Sequence, residues 1–128
     1  MITADQILAH LVGDFVLQSD WMANHKSNRS LATLAHASFY ILPFLLLTTS
    51  PAALAVIGGT HFIIDRFRLA RYLIWLRNLP WPKCASWSEC RENGFGPSVP
   101  PYLSAWLLII VDNTMHILIN AAAIRYLG

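Results

Sequence analysis

Charge is the scarcest property of this 128-residue sequence: Asp, Glu, Lys and Arg make up 12% of it. Soluble domains usually carry about 25%. Residues 30–64 contain no Asp, Glu, Lys or Arg at all. A disordered chain needs high charge and few apolar groups, and 55% of this sequence is hydrophobic. Nine Lys and Arg against seven Asp and Glu leave a net charge of only +2. That is too little for a surface that tracks nucleic-acid phosphates, so no nucleic-acid partner is expected. No Gly-rich phosphate loop, G-x-S-x-G elbow or HExxH helix is present. Nucleophilic Ser or Cys catalysis therefore has no motif to rest on. The only two cysteines, Cys84 and Cys90, are spaced C-x5-C and read as unpaired thiols rather than as metal ligands.

What is present is apolar sequence, with a mean hydropathy of +0.46. The composition points to one polytopic membrane domain spanning residues 1–128. Four apolar runs divide it: residues 2–22, 31–47, 52 onward, and 101–127. In the first run Gln6, His10, Asp14 and Gln18 recur every four positions and share one helix face. Thr48-Thr49-Ser50-Pro51 marks a turn between the second and third runs. The third extends past the apolar core as an amphipathic stretch, residues 66–77. The fold class expected is all-α, a four-helix transmembrane bundle with a long irregular loop, residues 78–100, before the last helix.

Lys and Arg concentrate in cytoplasmic connections. Lys26 and Arg29 fall in the first connection; Arg66, Arg68, Arg71, Arg77, Lys83 and Arg91 cluster in the third helix's extension and its loop. Both connections are expected in the cytoplasm and both termini outside. Arg125 alone departs from that distribution. Trp75, Trp81, Trp87, Tyr72 and Tyr102 stand where an interfacial aromatic belt falls. No basic segment precedes the first apolar run, so a cleavable signal is not expected.

The ionisable residues inside the apolar runs carry the chemistry. His10 and Asp14, His61 and Asp65, and Asp112 and His116 are each spaced i, i+4, and His36 lies in the second run. In alternating helices the reversed order of the last pair aligns its histidine with the other two. An Asp in the middle of a membrane helix costs about 2.5–3.5 kcal/mol, so partners are required. A divalent cation supplies them, because it neutralises carboxylates and takes neutral imidazole as a ligand. Mixed His/Asp ligation suits Zn, Mn or Fe. His10, Asp14, His36, His61, Asp65, Asp112 and His116 are the expected ligands, enough for one ion with a second shell or for two. Asp14, Asp65 or Asp112 could act as general base on metal-bound water. Gln18, Lys26, Arg66, Arg68 and Asn113 are expected to bind substrate, and Asn120 continues the His116 face. A basic rim beside a metal fits an anionic substrate, a phosphoester among them.

The set His10-x3-Asp14-Phe15-x2-Gln18, Lys26, His36, His61-x3-Asp65 and Asp112-Asn113-x2-His116 resembles the signature of a small membrane-protein family of bacteria and their phages. That family is catalogued as a domain of unknown function, and its usual last element has Gln where this chain has Asn113. The resemblance implies the bacterial inner membrane, multi-pass. A looser similarity to membrane-bound metal-dependent hydrolases implies hydrolysis. Two other readings stand beside the hydrolase: a metal-ion or proton transporter, and a structural or lysis-type phage membrane protein. The bilayer, and a second copy of the chain, are the expected partners.

Overall fold

The computed structural model describes residues 2–128. Among them are seven α-helices: α1 (Ala4–Leu11), α2 (Asp20–His25), α3 (Ser30–Tyr40), α4 (Pro51–Phe67), α5 (Leu69–Asn78), α6 (Trp87–Cys90) and α7 (Pro101–Leu127). The class is all-α, but the architecture is not a four-helix transmembrane bundle. Among the described residues only α7 is long and apolar enough to cross a membrane. A span needs about 20 apolar residues, whereas α3 has 11 and α4 has 17. The multi-pass reading finds no support here, and the outward assignment of both termini rested on it.

Local chemistry cuts the expected helices short. The first run opens with a capping box, in which Gln6 N donates to Thr3 Oγ1 and Thr3 N to Gln6 Oε1. It then widens into a π-helical turn, Val12–Val16, where Leu17 N reaches back five residues to Val12 O. Ser19 ends that turn and starts α2, its hydroxyl accepting from Met22 N. In the second run Pro43 has no N–H to continue the ladder, and residues Leu42–Leu46 tighten to a 3-10 helix. Arg68, at φ 52°, turns the chain in the left-handed region and separates α4 from α5. The last run escapes such breaks: Pro101 sits at the first helical position and the helix continues to Leu127.

The chain forms two compact units, residues 1–67 with 116–128, and residues 68–115. In the first, α3 packs on α4 and on α2. Its apolar core is Ala9, Tyr40, Phe44, Ile57 and Ala123. Gly13, in the π turn, lies so close to α3 that a Cβ there would sit 2.7 Å from Tyr40 O and 2.9 Å from its ring. The absence of a side chain lets the π turn lie against α3.

In the second unit Ile74, Ala70 and Cys90 are buried. Trp87 stacks on Tyr72 with centroids 4.6 Å apart, and Asn93 Nδ2 donates to Ser104 Oγ at 2.8 Å. Gly94 takes φ 85° over the Arg71 carbonyl, where a Cβ would sit 2.3 Å away. Both cysteines are free thiols.

Candidate metal centre

The centre lies in the first unit. The π turn supplies Asp14, α3 supplies His36, and α4 supplies His61 and Asp65 one turn apart. All four are buried, the three imidazoles of His36, His61 and His116 almost completely. One ligand atom from each of Asp14, His36, His61 and Asp65 lies within 4.8 Å of the others. His36 Nε2 is 3.1 Å from Asp14 Oδ1 and 3.3 Å from Asp65 Oδ2. His61 Nε2 is 3.4 Å from Asp65 Oδ2 and 3.9 Å from Asp14 Oδ1. His116, just past the middle of α7, sets Nε2 3.3 Å from the other Asp65 oxygen, Oδ1.

These separations discriminate between two uses of the cluster. Ligands about 2.1 Å from a tetrahedral ion are roughly 3.4 Å from one another. His36 meets Asp14 at 3.1 Å and His116 meets Asp65 at 3.3 Å as hydrogen bonds, whereas His61 approaches both carboxylates without forming one. His61 Nε2 and Nδ1 are both buried without a hydrogen-bond partner. An orphaned imidazole in the interior costs free energy unless something accepts its lone pair.

Electrostatics keep the carboxylates charged. Burial pushes Asp14 upward, but the His36 hydrogen bond and the Lys26 charge overcome it and hold it at about 2. Burial opposes ionisation at Asp65 as well; hydrogen bonds from His116 and His36 hold it well below the usual carboxylate range. Burial pushes His61 down to about 3, so its ring is neutral and able to ligate. At His36 burial pulls downward, and hydrogen bonds to Asp14 and Asp65 raise the ring overall.

Lys26 closes the centre. Its Nζ lies 2.8 Å from Asp65 Oδ2, 3.5 Å from Asp14 Oδ1 and 3.3 Å from His36 Nε2. It is the C-cap of α2, and its carbonyl accepts from Thr33 Oγ1. Arg66 also anchors this segment, donating Nη1 to Ser27 O at 2.8 Å and Nε to Ser30 Oγ at 3.3 Å. The guanidinium expected to meet substrate thus holds the Lys26 loop.

His10 stands one layer away. Its Nε2 is 4.0 Å from Asp14 Oδ2, and its Nδ1 meets Tyr40 Oη at 2.7 Å. Asn120 Nδ2 donates to Tyr40 Oη at 2.6 Å. The tyrosine hydroxyl thus links His10 to Asn120. Gln18 buries Oε1 with no hydrogen-bond partner, outside the four-residue group. Arg68, Asp112 and Asn113 belong to the second unit: Arg68 Nη2 donates to Glu92 O, and Asn113 Nδ2 to Ile109 O.

Tyr40 and Thr33 were not among the expected site residues. Their signal was spacing on α3: Tyr40 follows His36 by four, and Thr33 precedes it by three.

A helical protein with a buried histidine–aspartate group that could hold a metal ion is the class that the fold and geometry define. The chain belongs to the DUF3307 family of proteins of unknown function, whose model matches residues 2–127. No curated protein and no solved structure matches it.

Proposed function

We propose that the chain is a metal-dependent hydrolase of an anionic substrate, a phosphoester in the first instance. Asp14, His36, His61 and Asp65 hold a divalent ion of the Zn, Mn or Fe type. His116 fixes Asp65 through its second oxygen, and His10 orients Asp14. The observation that carries this reading is the orphaned His61 Nε2, 3.4 Å and 3.9 Å from two charged carboxylates. A neutral imidazole and two carboxylates at tetrahedral-edge spacing are a donor set for such an ion. Bound there, the ion would supply a water molecule whose pKa falls to about 7, so that hydroxide is available near neutral pH. Lys26, on the rim, supplies the positive charge that an anionic substrate requires.

The test is metal content. Protein purified in detergent without chelator, then offered Zn, Mn and Fe in turn, should retain about one ion per chain, measured by plasma mass spectrometry. Asp65→Asn should retain none. The loaded protein should hydrolyse aryl phosphoesters. Wild-type protein that retains no metal after reconstitution would overturn the proposal. Metal-dependent ion flux into liposomes, without phosphoester turnover, would assign transport instead.

Residence in a bilayer is proposed on α7 alone. Tyr102, Trp106, Ile109, Ile110 and Leu118 leave large apolar surface on that helix exposed. The chain should remain in the membrane pellet after an alkaline carbonate wash, and its release would refute this.

A further inference from the structure

Lys26 stands where a metal ion would have to come. Its ammonium contacts atoms of Asp65, Asp14 and His36, three of the four proposed ligands. An ion about 2.1 Å from those same atoms leaves no room for the ammonium in its present position. Like charges so close in a poorly screened interior repel strongly. Lys26 is also the exposed member of the group. Its side chain is 22% accessible, against 5% for Asp14, 3% for Asp65 and none for His36 and His61. The solvent-facing side of the cluster is therefore the Lys26 side, and an entering ion passes it.

We infer that Lys26 is a tethered cation that a metal ion displaces, and that the displaced ammonium then holds a phosphate oxyanion beside the metal. This rests on the metal reading above. With the imidazoles in the neutral form that ligates a metal, two carboxylates and one ammonium leave the centre with one negative charge, which attracts a divalent ion. Once the ion is bound the sum is one positive charge, which attracts an anion. The centre changes its preference from cation to anion by filling. The backbone cannot follow the side chain outward: Thr33 holds the Lys26 carbonyl and Arg66 holds the next one. The ammonium, on its flexible four-carbon stem, stays within reach of the rim. Metal first and anion second is the order of binding that results.

Wild-type protein tests this without a variant. Amine acetylation, read at Lys26 by mass spectrometry, should rise several-fold when saturating Zn is added. Phosphate should then suppress it again. Inorganic phosphate and short-chain phosphatidic acid are run as separate arms: protection by the first assigns a free phosphate, protection by the second alone assigns a lipid headgroup. Protection by neither overturns the anion half. Lysine reactivity that is unchanged or lower with metal overturns the displacement. By titration calorimetry Lys26→Met should bind Zn at least tenfold more tightly than wild type and should no longer take up phosphate. Affinity that is unchanged or weaker in Lys26→Met would also overturn the displacement. Zn binding absent from both wild type and Lys26→Met would refute the metal centre itself, a result distinguishable from failure of Lys26 alone.

Discussion

The Tyr40 ring lies on the imidazole of His61, centroids 3.6 Å apart and planes 14° from parallel. The same tyrosine joins His10 and Asn120 through its hydroxyl. It belongs at once to the apolar core and to the polar cluster. Tyr40→Phe keeps the stack but leaves Asn120 and His10 without their shared partner. Chemical denaturation should show a loss of about 1–3 kcal/mol, the cost of an unsatisfied buried group. Tyr40→Leu, which also removes the stack, should lose more.

Ligands and positioning residues should separate in metal titrations. His10→Gln acts through its charge contact with Asp14 and should weaken Zn binding by about 10–100-fold, as loss of a supporting contact behind a ligand does. Asp65→Asn removes a donor atom and should weaken it beyond that range. Equal effects from the two substitutions would place His10 on the ion.

Acid should destabilise the metal-free protein in a defined window. An unfolded imidazole takes a proton below its ordinary 6.5, but His61 in the fold resists protonation until about 3. The unfolded state therefore binds more protons across that interval, and stability falls as pH falls. Asp14, held at about 2 against an ordinary 3.8, and Asp65, also depressed, extend the loss to lower pH. His36 has the opposite sign: its stabilising contribution is complete below 6.5 and fades as pH rises through its elevated value. Circular dichroism melts should show the melting temperature falling from pH 6.5 towards 3. His61→Gln should flatten the upper part of that fall.

Two glycines should respond in opposite directions. Gly13→Ala places a methyl against the Tyr40 backbone and should cost about 1–3 kcal/mol of stability. Gly59, inside α4, has nothing within 4 Å of where a Cβ would be. Gly59→Ala should stabilise by about 0.5–1 kcal/mol, because alanine loses less backbone freedom in a helix. Thermal melts of the two variants check both.

Much of the centre was legible as spacing. His61 and Asp65 are four apart on an unbroken helix, and that spacing brings them to 3.4 Å. His10 and Asp14 have the same spacing, but the π turn intervenes; Asp14 swings to His36 and Lys26, leaving His10 at 4.0 Å. A π turn has no residue signature of its own, so the sequence could not show it. The helix breaks at Ser19 and Pro43 did have signatures, a capping hydroxyl and a missing N–H, and the length of the apolar runs masked them.

By itself the sequence determined the helical class, the apolar interior and the identity of the ionisable groups set within it, because side-chain chemistry and periodicity are local properties. Only the tertiary structure decided which of those groups meet, that Tyr40 lies among them, and that Lys26 reaches the carboxylates from a loop. Such contacts depend on where separate helices end and how they pack, and no single stretch of chain encodes that.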